Sequence, residues 1–183
     1  GIRLTGKDGP YSLGVMTADD RSPGLAIPAY YPLSGLRSYF TVARVSRDIF
    51  RQSSVGALYT DWECPTTGEY NRIGGIDTRL KFTANWTLDG QAVTSSSNIF
   101  GNFLNPNYSA HNCEANYYPF SSGNLGNTAN NHYAGPAEKL QLHHDGLHVT
   151  YDGTYNDISP GFVSIPGFIN RVDIRETSQE LDY

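Results

Sequence analysis

From Gly74 to Val93 the chain reads GGIDTRLKFTANWTLDGQAV, and almost every second residue is apolar. Ile76, Leu80 and Phe82 alternate with Asp77, Arg79 and Lys81; beyond Thr83-Ala84-Asn85, Trp86, Leu88 and Ala92 alternate with Thr87, Asp89 and Gln91. A period of two places these sets on opposite faces of a strand pair, so one face must leave water while the other accepts charge. No helix satisfies that pattern.

The same period runs through the chain and predicts nine strands, at about 1–6, 11–17, 37–48, 54–63, 70–82, 86–96, 137–144, 147–157 and 167–176. The apolar phase carries Leu4, Leu13, Val45, Val55, Leu80, Leu88, Leu142 and Val149, and the opposite phase carries Arg44, Asp77, Arg79, Lys81, Asp89, Asp152 and Arg171. Met16, Val42 and Leu58 are apolar residues in the polar phase. Short turns at Lys7–Pro10, Phe50–Ser53, Thr83–Asn85 and Asp145–Gly146 alternate with longer links at 18–36, 64–69, 97–136 and 158–166. An antiparallel up-and-down meander with tight turns at one end and long loops at the other is the organisation of an outer-membrane β-barrel. The expected fold is therefore all-β, one segment of such a barrel spanning 1–183, with 97–136 as its long loop. That loop is rich in Asn, Ser, Gly and Tyr and lacks a periodic apolar stretch, so it predicts surface loop rather than a second domain.

Composition narrows the function. A net charge of −5 without basic runs gives no electrostatic footprint for nucleic acid. Apolar runs are too short for a membrane helix, so any crossing is made by strands. Ten of the 13 basic residues are Arg, which suits fixed networks with carboxylates in a confined space. No initiator Met opens the sequence and strand pattern begins at Ile2, which predicts a piece of a longer chain; nine is odd where single-chain bacterial barrels have even counts, so a missing remainder of the barrel is an expected partner.

Alternation alone also fits a soluble β-sandwich or small barrel with the apolar phase in a dry core. A polar phase rich in Gly, Ser, Thr and both charge signs, and Tyr and Trp near strand ends on the apolar phase, favour a wet lumen and a lipid-facing exterior with an interfacial girdle.

GIRLTGKDGPYSLGVM, YFTVARVSRDIFRQSSVGALYT, YNRIGGIDTRLKFTANWTLDGQAV and YNDISPGFVSIPGFINRVDIR resemble the barrel region of a bacterial family, the domain of unknown function numbered 5916. Arg44–Asp48 and Gly167–Arg171 carry the most specific part of the resemblance, and the Asn-rich loop departs from it. Members look like an N-terminal carbohydrate-binding domain of family 9 type followed by an outer-membrane barrel. The resemblance implies bacterial outer-membrane localisation, membrane lipid as a partner and carbohydrate through the attached domain, with no catalytic residue to transfer.

No nucleophile elbow, phosphate loop or dinucleotide fingerprint occurs, so no cofactor is expected and the segment carries no signature of an enzyme. His143 and His148 share the polar phase across a tight turn and invite a metal reading, but two imidazoles are not a site. Asp77, Arg79, Lys81 and Asp89 read as cross-strand ion pairs rather than a glycosidase carboxylate pair. Two function classes stay open: a barrel segment acting as pore, surface-binding platform or anchor for a carbohydrate-binding domain, or a secreted or periplasmic soluble carbohydrate-binding or carbohydrate-active domain with the Tyr-rich 108–133 stretch as its platform. Cys64 and Cys113 both fall at the loop end, and an oxidising compartment predicts a disulfide between them; two unpaired thiols are the competing reading.

Overall fold

A computed structural model describes residues 1–21, 37–66, 68–99, 132–167, 169 and 171–183. Nine strands form one antiparallel sheet in sequence order: β1 (Ile2–Asp8), β2 (Tyr11–Asp20), β3 (Ser38–Ile49), β4 (Ser53–Cys64), β5 (Glu69–Lys81), β6 (Trp86–Asn98), β7 (His132–Asp145), β8 (Thr150–Ile158) and β9 (Ile174–Asp182). Each strand pairs with its sequence neighbours, β1 and β9 are the edges, and the sheet is not closed. No helix occurs among the described residues.

The tight turns follow local chemistry. Gly9 takes φ = 53°, a left-handed value open to a residue without Cβ. In the β5–β6 turn the Thr83 hydroxyl accepts from the Asn85 and Trp86 amides, and the Phe82 amide donates to the Trp86 carbonyl. The β4–β5 link is only 65–68, closed by the Gly68 amide on the Cys64 carbonyl, so it is as tight as the turns at the opposite end and the strict short-long alternation fails there.

Register fixes the faces. Leu13, Val45, Ala57, Ile76 and Ala92 are successive cross-strand partners, as are Leu80, Leu88 and Leu142. The opposite side carries Asp77, Gln91 and Lys139 in one row and Arg79, Asp89 and Gln141 in the next. Large apolar side chains stand exposed on the first face, among them Ile2 (74%), Ile76 (63%) and Leu181 (68%). At Gly75, on the polar side, an added Cβ would lie 2.3 Å from the Ala92 carbonyl oxygen, whereas at Gly74, on the apolar side, it would meet nothing within 4 Å. The missing Cβ lets the sheet bend toward its polar face.

The buried core also lies on the polar face, and only toward the end bearing the β2–β3, β4–β5, β6–β7 and β8–β9 connections, here called the loop end. Trp62 and Cys64 are buried there against Phe40 and Ile165, and Ile73, Phe162 and Val163 are buried as well. Phe162, Val163 and Ile165 belong to the β8–β9 connection, residues 159–173, which folds back over the sheet. The sequence pattern places the last strand at 167–176, but it forms at Ile174–Asp182, because the apolar residues of 159–167 are used in covering the sheet.

Candidate functional site

Polarity on the two faces runs in opposite directions along the strands. On β4 the apolar-side positions run Val55, Ala57, Tyr59 and then Asp61 and Glu63; on β5 they run Leu80, Thr78, Ile76, Gly74 and then Arg72 and Tyr70. On these two strands this side is apolar near the tight turns and charged at the loop end; on the neighbouring strands it also carries Arg47, over the Tyr11 ring, and Glu138 opposite Ala92. The polar side largely reverses the order, with charges near the turns and Trp62, Ile73 and Phe40 at the loop end, where Glu69 is a buried exception.

A rim of paired polar groups marks the crossover on the apolar side. The Tyr59 hydroxyl donates to Asp61 Oδ2 at 3.3 Å and Arg72 Nε to Asp61 Oδ1 at 3.3 Å. The same trio recurs four strands later, on β8 and β9: the Tyr155 hydroxyl donates to Asp157 Oδ2 at 3.0 Å and Arg175 Nε to the same oxygen at 2.7 Å. The Arg72 guanidinium also lies 4.7 Å from the centre of the Tyr70 ring. Below the rim, a shallow groove of about 600 Å³ with almost wholly apolar lining runs past Val45, Val55, Ile76 and Leu140. It exists because Ala57, Gly90 and Ala92 on the same side are small.

On the polar side, six of the expected lumen-facing residues share one surface: Arg44, Asp77, Arg79, Lys81, Asp89 and Asp152. Arg44 chelates Asp77 through two donors, Nε at 3.1 Å and a close Nη2 contact to the other oxygen. Arg79 holds Asp89 in the same bidentate way at 2.7 and 3.1 Å, and Lys7 reaches Asp48 at 2.6 Å. These are the cross-strand ion pairs expected of Asp77, Arg79 and Asp89. The Asp77 carboxylate fills the space beside Gly56, where an added Cβ would sit 2.8 Å from Oδ2. Arg171 departs from the expectation: it lies exposed in the β8–β9 connection and in no strand, because β9 starts three residues later.

The two histidines are not brought together. His143 Nδ1 hydrogen-bonds Asp152 Oδ1 at 2.7 Å across β7 and β8, while His148 sits exposed in the turn between them rather than in a strand. Val149 is also a turn residue, with its carbonyl accepting from the Gly146 amide. His144, on the apolar side, stacks on Trp86 with ring centres 4.4 Å apart. Among the described residues no three His, Cys, Asp or Glu side chains gather as a metal-ligand set.

Sequence reasoning missed the strap that 159–167 lays over the loop end. Its organiser is Asn71, wholly buried, whose amide donates to the Val163 carbonyl at 2.9 Å and to Ser97 Oγ at 2.7 Å while its oxygen accepts from the Ile165 amide at 3.0 Å. Ser95 Oγ accepts from the Val163 amide at 3.0 Å. Gly135 lies directly under the strap, since a Cβ there would meet Ser159 Oγ at 2.1 Å and the Phe162 amide at 2.8 Å. The available signal was Val42 and Leu58, apolar in the polar phase of β3 and β4, together with the apolar content of GFVSIPGF in a link.

No described cysteine is free, and Cys64 is fully buried at the loop end. Cys113, its expected partner, lies outside the described residues, as does the Tyr-rich stretch up to residue 131. Comparison with family models, with curated proteins and with solved structures returns no match.

Proposed function

We propose that this chain is a segment of a bacterial outer-membrane β-barrel, with its apolar face toward lipid and its charged face toward the interior. The observation that carries the reading is the reversal of polarity along β4 and β5, apolar and then charged on one face, charged and then largely apolar on the other. A bilayer demands an apolar exterior only across its own thickness, and strands reaching past it must turn polar outside and are free to become apolar inside. A strand of about 9–11 residues crosses a bilayer, whereas β3 to β7 have 12 to 14 residues. The surplus of β4 and β5 lies at the loop end, where the Tyr59–Asp61–Arg72 group supplies the polar contacts that a headgroup layer would meet in this reading; Tyr155–Asp157–Arg175 repeats the chemistry near the second edge of the sheet. A water-soluble sheet of this size has no reason to leave Ile2, Leu4, Ile76 and Leu181 exposed together on one face.

Within that class the strap favours a plugged barrel, serving as a binding platform or anchor, over an open channel. It fills the polar face at the loop end with Phe162, Val163 and Ile165. The likeness to the family of unknown function 5916 agrees with an anchor beneath a carbohydrate-binding domain. Fractionation of expressing cells tests the reading. The full chain is expected in the outer-membrane fraction, released by detergent and not by salt or carbonate; recovery in buffer without detergent would contradict it and return the soluble carbohydrate-domain alternative.

A further inference from the structure

Between the strap and the tight turns, the polar face holds a cavity of about 400 Å³ lined by Arg44, Asp77, Arg79, Asp89, Lys139 and Gln141, with Gln91 at its floor. Its charges are not balanced. Asp77 is held by Arg44 and Asp89 by Arg79, each by two hydrogen bonds. Lys139 faces the same space with no carboxylate paired to it among the described residues, which leaves one uncompensated positive charge. Gln91 is the direct cross-strand partner of Lys139, and Gln141 stands two residues along β7 on the same side. Neither amide side chain makes a hydrogen bond among the described residues.

We propose that this cavity is a binding site for a small hydroxylated carboxylate, a sugar acid or hydroxy acid, with Lys139 taking the carboxylate and Gln91 and Gln141 the hydroxyls. The unpaired ammonium selects an anion, because the arginines are already committed to their aspartates in bidentate geometry. The two amides decide what kind of anion. Each offers both donors and an acceptor, which hydroxyl groups use in full; a bare inorganic anion uses donors alone. The volume lies within the range of small-ligand pockets. The proposal deepens the barrel reading, resting on it for the interior position of this face.

Calorimetric titration of the detergent-solubilised full chain with D-glucuronate tests it, with glucose, acetate and inorganic phosphate as comparators. Glucuronate is expected to bind at least tenfold more tightly than glucose, acetate or phosphate. Lys139→Met is expected to reduce glucuronate binding to the glucose level while Lys139→Arg retains it; Gln91→Leu with Gln141→Leu is expected to reduce it to the acetate level. Equal binding of glucuronate and glucose, tighter binding of phosphate, unchanged affinity in Lys139→Met, or no binding of glucuronate at tens of millimolar would each overturn the site. Circular dichroism of each variant separates loss of the site from loss of the sheet. The membrane reading is judged separately by fractionation, so a protein that binds glucuronate but needs no detergent would refute the barrel and keep the site.

Discussion

Asn71 is wholly buried and uses both amide donors and its oxygen on groups far away in sequence, 92 residues distant at Val163, 94 at Ile165 and on the neighbouring strand at Ser97. Asn71→Ala removes the partner of a buried carbonyl and of a buried amide. An unsatisfied buried group costs about 1–3 kcal/mol, so the variant is expected to lose about 3 kcal/mol of stability, read as a lower midpoint in chemical denaturation. Asp77 presents the opposite case. Its partner Arg44 is half exposed, and Arg44→Ala is expected to cost under about 1 kcal/mol, as exposed pairs do. At this scale the sequence was partly readable. The polar phase named Arg44, Asp77, Arg79 and Asp89, and register sets the Arg79–Asp89 pair across adjacent strands; the Arg44–Asp77 pair reaches from β3 to β5 over Gly56 of β4, which no two-strand register foretells. The phase could not single out Asn71 from its polar neighbours, since nothing local marks a side chain whose partners arrive from a link folded back over the sheet.

At the scale of elements, the first eight strands follow the period-two pattern, and the β1–β2, β3–β4, β5–β6 and β7–β8 hairpins are each closed by a short turn with its own chemistry, such as Gly9 or Thr83. The ninth did not, because GFVSIPGFINRVDIR offers apolar residues that a strand or a strap could use equally, and burial on the far side of the sheet decided for the strap. Phe162 is 4% exposed. Phe162→Ala is expected to cost about 3–5 kcal/mol by leaving a cavity over the sheet, with a loss of protection from hydrogen exchange in β6 and β7 at the loop end and none near the tight turns. The loop end is also where the disulfide reading stands. If Cys64 pairs with Cys113, closing a loop of about 50 residues stabilises by about 4 kcal/mol at most. Thiol labelling of unreduced, denatured protein is expected to find none; two reactive thiols per chain would exclude the bridge.

For the whole molecule, the question raised by the alternating hairpin is what touches each face, and alternation cannot answer it because a dry core and a lipid bilayer ask for the same period. The structure adds a direction to the pattern: along β4 and β5 the apolar-phase face turns from apolar near the tight turns to charged at the loop end, while the polar-phase face carries its Arg44–Asp77 and Arg79–Asp89 pairs toward the turns. The proposed bilayer of fixed thickness is one arrangement that asks for such a reversal. Ile76→Arg, in the middle of the apolar band, is expected to cost about 2–4 kcal/mol in a bilayer, and much less in a soluble sheet with that face already wet. The most direct measurement places one nitroxide at Leu80 and, in a second variant, at Gln91, in protein reconstituted into phospholipid vesicles, and compares their accessibility to oxygen and to a water-soluble nickel chelate. The barrel account predicts oxygen-dominated relaxation at Leu80 and chelate-dominated relaxation at Gln91; equal chelate accessibility at the two positions would contradict it.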